Sequence, residues 1–402
     1  MNTKKILFVP DVMNGEDSGA RSARSTIRSL LELGYVVGVY IKSDEIISNG
    51  SLLKNILVFK SNSKFRFYSF IYDPPLLKEF RNIIDIFNPE YIFFAGSIQK
   101  PSILAKEARS RGIKTIFLFY INDYYCHKVY AGLETGPCFK CIEKNNFQAL
   151  KNGCINRSPI YLNFIKGWIV RKQIKKELIN SYRVVGYSQD QLDIYIKYGI
   201  DRNKCYKVAF QFDPLELADI HTEDHGYFLL LGQPTIEKGW HILKFIFSKL
   251  QSSVKIKILF KDLESSRVYI NKYDLNSYVD SGMIDVVCEV KERSRVLSIM
   301  SSARAVIIPT YYPTTGEFVL LESLLLGKPV IVFDVGAHKE IISHNINGMI
   351  ANISDYESFA GFIDEINLNS EFRESVSKGA KSWGKLYFSD EARLSSLSEI
   401  LS

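Results

Sequence analysis

Between residues 305 and 335 the chain reads strand, loop, helix, strand. "AVIIP" (residues 305–309) and "VIVFDV" (residues 330–335) are short apolar runs, and "TTGEFVLLESLLLGKP" (residues 314–329) lies between them. Short uninterrupted apolar strands joined through a helix belong to a parallel sheet covered on both faces, which makes this a βαβ unit. Gly327, Lys328 and Pro329 stop the helix, because Gly suits the left-handed cap and Pro cannot continue. The loop Thr314-Thr315-Gly316 feeds a helix N-terminus, where backbone N–H groups and the helix dipole favour an anion. Within the helix, Glu322 is surrounded by Val319, Leu320, Leu321, Leu324, Leu325 and Leu326. A buried carboxylate without compensation is costly, so Glu322 is expected to have a partner or to point into a cleft.

The same alternation runs through both halves. Strand candidates begin at Lys5, Val36, Ile56, Tyr91, Thr115, Arg183 and Cys205 in the first half, and at Tyr227, Lys255, Ile284, Ala305 and Val330 in the second. After the first strand, Ala23, Ile27, Leu30 and Leu31 form one apolar helical stripe, and Ser18-Gly19-Ala20 at its start is a second loop-to-helix anion site. A polar break over residues 213–226 reads as a linker. The expected fold class is α/β, with two doubly wound domains: residues 1–212, and residues 213–384, with a final helix over about 385–402 returning to the first. Ligands of such sheets bind at the carboxyl ends of the strands, which predicts an interdomain cleft as the site.

The chain has 402 residues, enough for two domains with real cores. No apolar run approaches the ~18 residues that span a bilayer. Lys4 and Lys5 lead at once into a strand-like stretch unlike a secretory signal, so a cytoplasmic location is expected. Net charge is +7, unevenly spread: residues 1–212 hold 32 Lys and Arg against 18 Asp and Glu, and the remainder 19 against 26. The basic half is expected either to meet something anionic or simply to carry a solvated basic face.

In order and spacing, the motifs resemble those of the family 4 glycosyltransferases, which have the GT-B fold of two facing Rossmann-like domains. Residues 314–350 look like the family's donor-site segment with its Gly, Glu and Asn-x-x-Gly tail. Residues 229–243 look like its diphosphate loop, and residues 17–40 like its first glycine-bearing loop and helix. Residues 120–126 and 183–200 fit its N-terminal domain. The resemblance implies a retaining transfer of a hexose from a nucleotide-sugar (a UDP- or GDP-sugar) to a glycan or lipid-linked acceptor, as in cell-surface polysaccharide synthesis, with no nucleic-acid partner. It implies that Glu322 binds the ribose hydroxyls and that Lys238 neutralises the diphosphate. The N–H groups of Phe318 and Val319 would hold phosphate, those near Thr315 and Gly316 would touch the sugar, and Gly19 would let the backbone approach the diphosphate. Three positions depart from the family pattern. Its first Glu is Thr314 here, with Glu317 close by but at too short a spacing; its Arg is Gln233; and its His is Asn122, next to Asp123 on the acceptor side. Asn122 can orient a sugar or acceptor by hydrogen bonds but cannot act as a base. These departures keep two other readings in view: a silent GT-B partner of another transferase, and an epimerase or phosphorylase on the same fold.

No Asp-x-Asp occurs in the sequence, which favours a leaving diphosphate stabilised by protein groups alone, with no catalytic cofactor. Cys126, Cys138, Cys141 and Cys154 have the spacing C-x11-C-x2-C-x12-C, which suggests either a structural zinc or plain thiols in a loop. Residues 161–179 mix Phe164, Ile165, Trp168 and Ile169 with Lys166, Arg171, Lys172, Lys175 and Lys176. Such a helix suits an anionic membrane surface, or packs on the core with a solvated basic edge.

Overall fold

The computed structural model describes residues 4–402 apart from residues 16, 43–53, 63–71, 98–101, 213–216, 218 and 291. Much of the start of the expected linker thus lies outside the described residues. The chain forms two compact units: residues 1–131, 139–212 and 390–402 make the first, and residues 132–138 and 213–389 the second.

The first unit is built on strands β1 (Lys5–Pro10), β2 (Val36–Lys42), β3 (Ile56–Ser61), β4 (Tyr91–Gly96) and β5 (Lys114–Phe119). After β6 (Gly132–Leu133) and β7 (Gly136–Pro137), which form a small antiparallel hairpin, come β8 (Arg183–Gly186) and β9 (Cys205–Lys207). The seven-stranded sheet has the order β3-β2-β1-β4-β5-β8-β9, and every pairing is parallel. β4 is buried along its whole length, as its unbroken "YIFFAG" requires. The C-terminal helix Asp390–Glu399 belongs to this unit, where Arg393 bonds Glu32 and the Tyr91 hydroxyl donates to the Leu401 carbonyl at 2.7 Å.

The second unit repeats the plan with β10 (Phe228–Leu230), β11 (Ile256–Leu259), β12 (Ile284–Val287), β13 (Ala305–Ile308), β14 (Val330–Phe333) and β15 (Met349–Ala351). Its order is β12-β11-β10-β13-β14-β15, again all parallel. β15 and the hairpin were not foreseen, because each strand is too short to show a period. The hairpin also departs from the expected boundary: residues 132–138 pack on the second unit, where a Cβ on Gly132 would meet Tyr312 at 2.9 Å and His241 Nε2 lies 3.2 Å from the Glu134 carbonyl oxygen.

Candidate active site

Three loops of the second unit meet at the carboxyl ends of β10, β13 and β14. β10 and β13 are neighbours in the sheet but distant in sequence, and successive strands extend from them to opposite edges. This is the switch point at which parallel sheets take ligands. The loop after β10 carries exposed Gln233 and half-buried Lys238. It is pinned at Gly239, where φ is +75° and a Cβ would lie 1.8 Å from the Pro309 carbonyl oxygen, so a side chain is excluded. The loop after β13 runs from Thr310 to Glu317. The loop after β14 approaches it at Gly336, whose Cβ would lie 2.3 Å from the Thr314 oxygen, and the Ala337 N–H donates to that oxygen at 2.9 Å.

Glu317 lies at the centre. It is the residue before the helix Phe318–Leu325, yet its side chain does not cap that helix. Lys238 donates to Oε1, and the Thr310 hydroxyl sits 2.9 Å from both oxygens. Fully buried His338 places Nε2 3.1 Å from Oε2 and Nδ1 3.0 Å from the Phe333 carbonyl oxygen. Burial opposes the Glu317 charge, but Lys238 and His338 outweigh it and bring the carboxyl down to about 2. Burial also opposes the Lys238 charge, and Glu317 with Tyr312 overcomes it, holding the ammonium above its ordinary value. The sequence led us to expect Lys238 to neutralise the diphosphate and Glu317 to lie close by at too short a spacing for the family's first Glu. In the structure these two side chains form one partly buried ion pair.

Glu322 is also buried, and its partner is Arg293, whose Nη2 lies 3.0 Å from Oε1. Arg293 opens the helix Arg293–Ser301, beyond β12, and nothing in the local sequence pointed to it. Thr314, Thr315 and Phe318 are buried, and Gly316 and Val319 partly so. Gly316 takes φ +137°, and its N–H donates to the Thr314 hydroxyl at 3.2 Å. Thr314, Thr315, Gly316, Glu317, Phe318 and Val319 thus run continuously into a helix N-terminus, Lys238 is tied to them through Glu317, and Glu322 lies further along the same helix. Sequence reasoning missed Arg293, Thr310 and His338. Of these only His338, beside Gly336, lay in a motif already singled out.

The expected first-unit residues are placed differently. The helix Ser18–Glu32 is capped by Asp17, whose carboxylate accepts from the Ala20 N–H at 3.0 Å, and a Cβ on Gly19 would meet the Asp17 carboxylate at 3.2 Å. The chain's own carboxylate thus takes one N–H of the helix N-terminus at which Gly19 was expected to admit the diphosphate. Asn122 is fully buried, and its backbone carbonyl accepts from the Cys126 N–H at 3.0 Å. Asp123 is buried as well, near the buried Arg171 that donates to the Cys126 carbonyl at 2.7 Å. The four cysteines are not assembled as a metal set: none is in a disulfide, and among the described residues no three His, Cys, Asp or Glu side chains gather to hold an ion. Cys138 goes with the hairpin into the second unit, whereas Cys126, Cys141 and Cys154 stay in the first. Burial pushes the Cys126 thiol up to about 12.

Residues 218–383 match the family described as Glycosyl transferases group 1. This matched segment, less than half of the chain, is similar to that family's domain. It contains the whole Lys238–Glu317–His338 network and the Arg293–Glu322 pair. Two curated relatives are both uncharacterized glycosyltransferases of Methanocaldococcus jannaschii. One is 28% identical over 159 residues, 40% of each chain; the other is 23% identical over 361 residues, 88% of this chain and 91% of that one. Among solved structures, the chain is similar to sucrose-phosphate synthase from Thermosynechococcus elongatus, with TM-score 0.70 and 13% identity over 99% of this chain and 98% of that one. It is also similar to HepE of Anabaena, solved in complex with UDP and glucose, with TM-score 0.64 and 15% identity over 99% of both chains. The fold is thus GT-B, with two Rossmann-like units.

Proposed function

We propose that this protein transfers a hexose from a nucleoside diphosphate sugar to a glycan or lipid-linked acceptor, with retention at the anomeric carbon. The observation that carries the reading is that Lys238 and the loop of residues 314–317 meet through Glu317 at the switch point of the second sheet, at the N-terminus of the helix Phe318–Leu325, which also carries Glu322. Arg293 fixes one oxygen of Glu322, which orients the carboxylate for ribose hydroxyls. The diphosphate meets Lys238 and the N–H groups at Phe318 and Val319. In the reaction the bond from the anomeric carbon to the diphosphate oxygen breaks, and a bond to the acceptor oxygen forms. The acceptor's proton passes to the leaving phosphate. Negative charge grows on that phosphate in the transition state, where Lys238 and the helix N-terminus stabilise it. The basic first unit is assigned to the acceptor, and a peripheral place on an anionic membrane follows from the same charge.

The complexes of HepE with UDP and UDP-glucose support a uridine donor as the first to try. A second reading, a silent partner of another transferase, is favoured by the pairing of Lys238 with Glu317 and by the burial of Asn122. A panel of UDP- and GDP-sugars, read by thermal shift and then by release of nucleoside diphosphate, separates the two. Binding with turnover is expected. Binding without turnover on any acceptor supports the partner reading, and no binding of any nucleotide-sugar overturns both.

A further inference from the structure

The helix Ile160–Asn180 in the first unit buries Phe164, Val170, Ile174 and Leu178 against its own domain. It carries a second stripe on another face. Tyr161, Ile165, Trp168, Lys172, Lys175 and Ile179 follow one another at alternating steps of four and three residues, the spacing of a single helical face. The first half of this stripe is apolar and open to solvent: Tyr161 is 74% exposed, Ile165 46% and Trp168 40%. The second half brings in the basic residues Lys172 and Lys175 before ending on Ile179. Burial in the first unit's core accounts for the other face but not for this one.

Beside the basic half lies a cavity of about 290 Å³. Three separate elements bring lysines to it: Lys144 from the loop after the helix Lys140–Glu143, Lys172 and Lys175 from the long helix, and Lys197 from the end of the helix Gln189–Lys197. The amides of Asn145 and Asn146 and the rings of Phe147 and Trp168 complete the lining that matters here. No carboxylate lines the cavity, and among the described residues none of the four lysines makes an ion pair. Lys172 sits 5.6 Å from the Trp168 ring and Lys175 4.5 Å from the Tyr198 ring, so aromatic faces hold the ammonium groups toward the cavity. Four converging cations without a counter-charge form a local field that an anion relieves. The cavity is small for a whole nucleotide-sized ligand and suits a phosphate or diphosphate group.

We propose that this cavity is a binding site for the phosphate-bearing head of an anionic amphiphile. The lysines and asparagine amides take the phosphate oxygens, and Trp168, Ile165 and Tyr161 take the adjoining apolar portion. The continuity of the apolar and basic halves on one stripe selects a lipid over free phosphate. This deepens the acceptor half of the reading above, but its readout is binding and does not depend on transfer.

The long helix supplies its own control, because Lys166 and Lys176 share the helix but do not line the cavity. The full-length protein is sedimented with phosphatidylcholine vesicles with and without phosphatidic acid, at fixed ionic strength. Binding to the phosphatidic acid vesicles alone is expected. Lys172→Gln with Lys175→Gln is expected to weaken it about tenfold or more, and Lys166→Gln with Lys176→Gln far less, although both pairs remove the same charge. Inorganic pyrophosphate is expected to displace the protein where sodium chloride of equal ionic strength does not, and Trp168→Ala to weaken vesicle binding. Donor thermal shift is expected to be unchanged in all these variants, so failure here is separable from failure of the transferase reading. Equal effects of the two lysine pairs would mean a diffuse basic face and overturn the site. Pyrophosphate binding that needs Lys172 and Lys175, without any vesicle binding, would overturn the lipid.

Discussion

Glu317→Gln tests the buried network directly. The substitution keeps the size of the side chain and removes its charge, leaving Lys238 and His338 facing a neutral amide. In the native protein the carboxyl is brought from 4.5 to about 2. At about 1.4 kcal/mol per pH unit, that depression corresponds to roughly 3 kcal/mol of stability at neutral pH, in line with the cost of breaking a buried ion pair. A carboxyl held low stabilises the fold above the value it has in the unfolded chain, near 4.3. It loses that contribution as pH falls toward the folded value, so about half is expected to be gone at pH 3. The assay is urea unfolding in a Trp168→Phe background. The other two tryptophans, Trp240 and Trp383, both lie in the second unit and report on it. With ordinary urea slopes, 3 kcal/mol moves the midpoint by about 1 M or more at pH 7. Adding Lys238→Met should recover part of the loss, because the two residues are coupled. A gap between wild type and Glu317→Gln below about 0.5 kcal/mol, or one equal at pH 7 and pH 3, would refute the assignment of Glu317 as the ionised centre.

Glu322→Ala is expected to abolish nucleotide binding with the fold intact and Glu322→Gln to be milder, while Arg293→Ala weakens donor affinity by misorienting the carboxylate; calorimetry with UDP and GDP reads all three. Lys238→Ala is expected to lower kcat and kcat/KM together by roughly 10²- to 10³-fold, and a change in KM alone would mean that it binds ground and transition states equally. Gly239→Ala places a Cβ 1.8 Å from the Pro309 oxygen at φ +75°, so a loss of at least ~2 kcal/mol is expected in the same urea assay. Elemental analysis of untagged protein is expected to find zinc well below one per chain, since the four cysteines are not gathered; one tightly held zinc would restore the sequence-based expectation.

The two sheets were legible because parallel strands covered on both faces must be continuous apolar runs. "YIFFAG", "AVIIP" and "VIVFDV" admit little else, and all but β15 of the large-sheet strands begin within a residue of where the apolar runs begin. The hairpin over residues 132–137 was illegible: strands of two residues carry no period, and nothing local shows that they pack on the other unit. The site was half legible. Its backbone part follows from a Gly-bearing loop feeding a helix, a local pattern. The partners of its carboxylates are not local. Glu317 meets Lys238 from 79 positions earlier and His338 from 21 later, and Glu322 meets Arg293 from 29 earlier. Such pairings depend on which strands become neighbours, and the switch between β10 and β13 is what brings the first of them together.

The position of Glu317 has a consequence for binding. It stands at the start of the helix Phe318–Leu325, where a donor phosphate is proposed to sit, and it neutralises the lysine proposed to meet that phosphate. A resident carboxylate there repels an incoming diphosphate and competes with it for Lys238. The compensating contacts from Thr310 and His338 keep Glu317 ionised and in place, so it does not retreat by taking up a proton at neutral pH. Stability and donor affinity therefore pull in opposite directions at this residue. The same Glu317→Gln variant that loses stability is expected to bind the nucleoside diphosphate more tightly than wild type, because Lys238 is released and a like charge is removed. Its catalytic rate should not rise in proportion, since a lysine no longer held by a carboxylate is less well oriented for the transition state. Weaker diphosphate binding by a folded Glu317→Gln protein would show instead that Glu317 positions Lys238 for the ligand and does not compete with it.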